Sequence, residues 1–193
     1  METKSIERLF NNIRAITVGK KLSQVQVDSI NAILASCAKH TVTDIHQIGY
    51  ILATAYHESR LKPVEEVGKG KGYDYGKKLD MGAGVGKRIP YTMPDVLYYG
   101  RGFVQITWLS NYRYFGKVLG VDLVNHPELA MQIPVAAEII VMGMKNGSFT
   151  GKKLSNYFTG VTNDSVNARR IVNGTDCAGL ISAYYNHIIE GVI

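Results

Sequence analysis

The sequence predicts a mainly α fold with a small β element. Apolar residues recur at helical spacing over Ser23 to Cys37, over the stretch that begins at Asp44, and over Pro127 to Met144. Only Phe103 to Thr107 reads as a β-rich run. Between these segments lie glycine-rich breaks, the longest from Gly68 to Gly100.

Each element has a local reason. Ser23 followed by Gln26 forms a capping-box pattern, and Val27, Ile30, Ile33 and Leu34 make one stripe. Asp44 with Gln47 repeats that pattern before Ile45, Ile48, Gly49, Leu52, Ala55 and Tyr56. Pro63 disfavours a helical Lys62, so this second helix should stop soon after Glu58. The glycines, the basic residues and Pro90 and Pro94 make Gly68 to Gly100 a long irregular excursion, and long loops in compact domains are usually functional. Ala130, Ile133, Ala137, Ile140, Val141 and Met144 give Pro127 to Met144 one apolar face. The last third should continue as helices broken at Gly147, Gly160 and Gly174.

At 193 residues, with no Pro- or Ser-rich divider, a single domain over 1–193 is expected, with an N-terminal helical region of about 1–22 packed on it. Charges at Glu2, Lys4, Glu7, Arg8 and Arg14 interrupt any apolar run there, so neither an export signal nor stable membrane insertion is expected. A net charge of +6 favours anionic partners of several kinds. Without a helix-turn-helix, zinc-finger or RNA-binding signature, nucleic acid is not expected among them. The lysines from Lys69 to Lys78 read as a solvated loop, and Cys37 and Cys177 as free and buried. Twelve tyrosines and one tryptophan suit stacking on flat polar ligands, of which sugars are one class.

Several chemistries can be set aside. His57-Glu58 would need a second histidine at position 61 for a zinc site, where Leu61 stands. Gly82 to Lys87 has the wrong spacing for a phosphate loop, and Arg88 replaces the required hydroxyl. No Gly-x-Ser-x-Gly elbow occurs. The carboxylates Glu58 and Glu66 remain, on either side of the Leu61-Lys62-Pro63 bend, which can fold them across one cleft. Glycoside hydrolysis needs such a pair, an acid for the glycosidic oxygen and a base for water or a nucleophile for carbon. Glu58, beside Ile51 at a helix end, suits an acid in an apolar setting; Glu66, at the mouth of the loop, suits the ionised partner. Close glutamates also occur on ordinary surfaces, so spacing alone leaves the pair open.

A set of motifs adds to it: His57-Glu58-Ser59; Lys62-Pro63-Val64-Glu65-Glu66-Val67-Gly68; Tyr98-Tyr99-Gly100-Arg101-Gly102-Phe103-Val104-Gln105-Ile106-Thr107-Trp108; Asn111-Tyr112; and Ala168-Arg169-Arg170-Ile171-Val172-Asn173-Gly174. In this order they resemble family 19 glycoside hydrolases, the plant chitinases and their bacterial and phage relatives, which makes the expected domain a catalytic one without a separate wall-binding module. The resemblance implies a lysozyme-like α+β fold with a cleft. It implies Glu58 as general acid, Glu66 as general base with Glu65 as its rival, and Thr107 as a holder of the attacking water. It places His57, Tyr99, Gln105, Trp108, Asn111 and Asn173 at substrate-binding positions and implies no metal or organic cofactor. Read without it, Thr107 is a strand residue, Asn173 a helix-ending turn, and Tyr98 or Trp108 core.

Inversion of configuration is also implied, with carboxyl groups roughly 6.5–9.5 Å apart. The stretch between the glutamates is shorter than in plant chitinases, and the arginine that many relatives carry near the C-terminus is replaced around Leu180 to Tyr184. The compact chain and its charge resemble the phage and prophage endolysin branch. That likeness implies a monomer made in the cytoplasm, released by a holin-type route, that cuts β-1,4 bonds of peptidoglycan glycan strands. Chitin is the alternative substrate. A lytic transglycosylase that uses Glu58 alone, or a non-catalytic glycan-binding protein, are more distant alternatives.

Overall fold

A computed structural model describes residues 3–84 and 86–192. Six α-helices are named here in chain order: α1 (Thr3–Ile16), α2 (Gln24–Lys39), α3 (Ile45–Ser59), α4 (Leu109–Leu119), α5 (Ile133–Asn146) and α6 (Ala178–Ile189). Two short antiparallel pairs complete the frame. Strands β1 (Val64–Glu65) and β4 (Arg101–Gly102) pair, as do β2 (Leu79–Met81) and β3 (Arg88–Pro90). The mainly α expectation with a small β element is met.

Helix α3 is the buried centre, with Tyr50 to Tyr56 all buried and α6 packed along it. Gly49 permits that approach, since a Cβ there would stand 2.3 Å from Cγ2 of Ile189. Helix α1 lies on α6, where Asn12 donates to the carbonyls of Ile188 and Glu190 at 3.1 and 2.8 Å. The larger apolar cluster runs through α1, α2, α3, α5 and α6. A second gathers Tyr98, Ile106, Leu109, Tyr112, Phe115 and Leu123 around α4, and Val104 and Phe149 pack against both.

Local chemistry explains the boundaries. The Ser23–Gln26 capping box forms as expected. At α3 the cap is simpler: Asp44 accepts from the His46 amide at 2.8 Å, and Gln47 instead donates to the Phe158 carbonyl at 3.2 Å. Helix α3 ends at Ser59, soon after Glu58 as the proline predicted, with Arg60 and then Leu61 in the left-handed region at φ 54° and 59°. Leu61 is fully buried, and that burial holds a non-glycine residue in a costly conformation.

Five expectations need correction. Pro127 to Met144 is not one helix: a 3-10 turn at Pro127–Met131 precedes α5, because Pro134 fits only a first helical turn and Gln132 is extended. Phe103 to Thr107 is a tight turn, and the strand precedes it at Arg101–Gly102; Ile106 folds back to bridge Arg101. The Gly68 to Gly100 excursion contains the β2–β3 hairpin, with Gly82 to Lys87 in its loop. Gly147 does end a helix, but from there to Cys177 the chain makes only 3-10 turns before α6. The cysteines are free; Cys37 is buried as expected, whereas Cys177 is exposed because it caps α6 at the surface.

Candidate active site

Glu58 sits in the last turn of α3, half-buried, and its carboxylate accepts from Nη1 of Arg169. Arg169 belongs to the 3-10 turn Asn167–Ile171 and is buried, and its Nη2 stands 3.4 Å from Asp176. The Glu58 carboxylate therefore meets a guanidinium and not the apolar pocket that its sequence neighbours suggested. Arg169 had been only part of a motif; nothing local marks it, since position 169 meets position 58 only through folding.

Glu66 follows β1 directly. Its amide donates to the Gly100 carbonyl at 2.8 Å, and the Gly100 amide returns a bond to Oε2 at 2.9 Å. Oε1 accepts from the Tyr75 hydroxyl at 2.9 Å. Burial first, and then the Glu66 carboxylate, push the Tyr75 phenol up, so it remains a donor. Two donors thus fix this carboxylate on the β1–β4 ladder.

Glu65, the rival for the base, is committed elsewhere. It accepts from the Tyr99 hydroxyl at 2.5 Å, lies 3.6 Å from Nε of Arg101 and 3.5 Å from Lys69. The Tyr99 bond, ahead of Lys69 and Arg101, lowers its carboxyl below the ordinary range. Tyr99 is 7% exposed, with its hydroxyl on Glu65 and the Arg101 guanidinium 3.7 Å over its ring.

The other residues singled out by sequence fall into two groups. Trp108, half-buried, meets Tyr75 edge-on at 5.3 Å and carries Arg88 over its ring at 4.6 Å, so it joins the Glu66 surroundings through Tyr75. Tyr73 stacks on Tyr75 at 5.1 Å and is 57% exposed, which continues the aromatic face outward. Thr107 shares the turn with Trp108, and its carbonyl accepts from Asn111 Nδ2 at 2.8 Å. Asn173 is exposed next to Arg169, whose carbonyl its amide meets at 3.1 Å, and its Oδ1 accepts from Gly174 at 2.9 Å. Gln105 Nε2 donates to the Val64 carbonyl at 2.7 Å and the Gly102 carbonyl at 3.2 Å. His57 is half-buried with a buried Nδ1 that lacks a partner, and its pKa is lowered, first by burial, against the pull of Glu58. Tyr98 is core, as the plain reading had it.

The excursion is held over this region by specific bonds. Asp80 of β2 accepts from the amide and hydroxyl of Ser110, both at 3.0 Å, and so caps α4 from a distant part of the chain. Asp74 accepts from Nε of Arg88 at 3.0 Å. Among the described residues no group of three or more His, Cys, Asp or Glu could hold a metal ion. No described helix is long and apolar enough to cross a membrane.

The sequence profile of glycoside hydrolase family 19, described as chitinase class I, matches residues 36–151, more than half of the chain. The chain belongs to glycoside hydrolase family 19. Among curated relatives, Chitinase 11 of Oryza sativa subsp. japonica is 50% identical over 46 residues, 24% of this chain and 18% of its own length. Endochitinase At2g43610 of Arabidopsis thaliana is 33% identical over 101 residues, 50% of this chain and 33% of its own. The aligned part of this family 19 chain thus spans about a third or less of those relatives. Chitinase C from Streptomyces griseus HUT6037 superposes with a TM-score of 0.61 at 20% identity, over 96% of this chain and 91% of that one, a likeness of fold.

Proposed function

We propose that this family 19 chain hydrolyses β-1,4 glycosidic bonds of bacterial peptidoglycan, with Glu58 as general acid and Glu66 as general base. The observation that carries the assignment is the unequal setting of the three glutamates. Glu66 is aimed by Gly100 and Tyr75, Glu58 lies against Arg169, and Glu65 is absorbed by Tyr99 and Arg101.

Glu58, having taken up a proton from solvent, gives it to the glycosidic oxygen as the bond to C1 breaks, and the leaving sugar departs as the alcohol. Glu66 takes a proton from a water that forms the new bond at C1 on the opposite face. Proton donation leaves Glu58 as a carboxylate beside the Arg169 guanidinium, which stabilises the charge produced in that step. Thr107 holds the water, Tyr73 offers its exposed face to a sugar ring, Trp108 backs that face through Tyr75, and Asn173 meets the glycan on the Arg169 side. A lone-glutamate transglycosylase would have no use for the two donors on Glu66. The chain's +6 charge suits an anionic wall polymer, and its place of action is the cell wall.

Chitin is the second reading, supported by the chitinase names of the relatives. Mass spectrometry of fragments released from purified peptidoglycan and from colloidal chitin separates the two. Fragments with reducing N-acetylmuramic acid ends, absent with Glu58→Gln, are expected; release from chitin alone would overturn the peptidoglycan reading.

A further inference from the structure

Glu66 takes one of its two donors from a stretch of chain with little order of its own. Tyr75 lies in the 3-10 turn Asp74–Gly76, and Gly70 and Gly72 before it stand at φ 78° and 91°. Glycine loses more conformational freedom on folding than any other residue, so such a stretch keeps one shape only where side chains hold it. The Tyr75 hydroxyl nonetheless reaches Oε1 of Glu66 at 2.9 Å.

The hold comes from the β2–β3 hairpin. Arg88 on β3 uses its guanidinium twice: Nε donates to Oδ2 of Asp74 at 3.0 Å, and Cζ lies 4.6 Å from the centre of the Trp108 ring. Trp108 in turn meets Tyr75 edge-on at 5.3 Å. One side chain thus grips both the residue before Tyr75 and the ring against which Tyr75 rests. Its remaining bond, from Nη1 to the Lys87 carbonyl at 3.1 Å, stays within the hairpin. A flat guanidinium can donate in its plane while its face covers an aromatic ring, which the point charge of a lysine cannot do.

We infer that Arg88 is a positioning residue for the general base: it clamps Asp74 and Trp108 about Tyr75, and so keeps the Tyr75 hydroxyl on Glu66. The inference rests on the reading of Glu66 as base, and it gives the hairpin a part in the reaction on either substrate.

The test is a double-substitution cycle on the full chain, with kcat and KM read on a soluble glycan oligomer, from peptidoglycan or from chitin according to which is cleaved. Arg88→Met should lower kcat roughly tenfold or more with KM within about twofold, because a misplaced catalytic group costs rate and not binding. Tyr75→Phe should lower kcat as well. The double variant should be no slower than Tyr75→Phe alone, since both substitutions break one chain of contacts. Trp108 is the only tryptophan in the sequence, so a shift of the fluorescence emission in Arg88→Met reports the guanidinium lost from its ring. Unchanged kcat in Arg88→Met or in Tyr75→Phe overturns the inference, as does an unmoved emission. Losses that multiply in the double variant overturn it too. So does an equal loss in Lys87→Ala, which removes the same charge from the neighbouring exposed position and would make hairpin charge the cause. Glu66→Gln reports separately on the base: full turnover there defeats that reading, whereas loss there with full turnover in Arg88→Met defeats only the role of Arg88.

Discussion

Each of the three neighbouring glutamates has its own partners, and those partners predict what each substitution does. With Glu58 and Glu66 as the proton donor and base proposed above, Glu58→Gln and Glu66→Gln should lower reducing-end release by at least about 10²-fold with the fold retained by circular dichroism. Glu65→Gln should leave turnover within about threefold, because its bonds go to Tyr99 and Arg101 and not toward substrate. A loss for Glu65→Gln as deep as for Glu66→Gln would exchange their roles. Arg169→Met strands Glu58 and Asp176 without their guanidinium. Hydrogen bonds to charged groups are worth about 1.5–3 kcal/mol, so urea unfolding should show a loss of about 2 kcal/mol, together with a fall in kcat.

At the scale of elements, α3 does most to place the chemistry. Its N-terminus depends on one cap, and Asp44→Ala should cost about 1 kcal/mol in thermal or urea unfolding. Its middle depends on Gly49, where an added methyl would collide with Ile189 of α6. Gly49→Ala should therefore destabilise by about 1–3 kcal/mol despite its better helix propensity, a sign opposite to that expected on an exposed helix. Its C-terminus was legible from Pro63, but the turn that follows was not: Arg60 and Leu61 adopt left-handed conformations because Leu61 is drawn into the core, a tertiary demand with no local glycine to announce it. The β2–β3 hairpin was hidden for a related reason, since Asp80 of β2 is tied to Ser110 of α4, far along the chain.

The whole molecule responds to acid through its paired carboxylates. Glu138 on α5 meets His40 at 2.5 Å and Lys39 at 3.2 Å, which ties α5 to the end of α2. Burial raises its pKa, but the His40 and Lys39 bonds outweigh that, and the net direction is down from 4.5. Glu65 is lowered as well. A carboxyl whose pKa is lower folded than unfolded contributes stability above its ordinary value, and that contribution disappears as pH falls through the folded value. The melting temperature should accordingly drop on acidification below about pH 4.5, and Glu138→Gln, which costs about 1 kcal/mol at neutral pH, should flatten that drop. A Glu138→Gln protein with an unchanged acid profile would refute the role of this pair.

Local chemistry in the sequence determined the helices α2 and α3, with their caps and apolar stripes, because those signals act within a few residues. Motif order determined the family, and with it the candidate glutamates. Which carboxylate is aimed, which is absorbed, and what faces Glu58 were decided by tertiary structure alone. Arg169, Tyr75 and Gly100 reach their glutamates only after the chain has closed. Tyr99 and Gln105, inside the most distinctive motif, have their polar atoms on Glu65 and the Val64 carbonyl, because a motif fixes residue order while burial and hydrogen bonding fix which way each side chain faces.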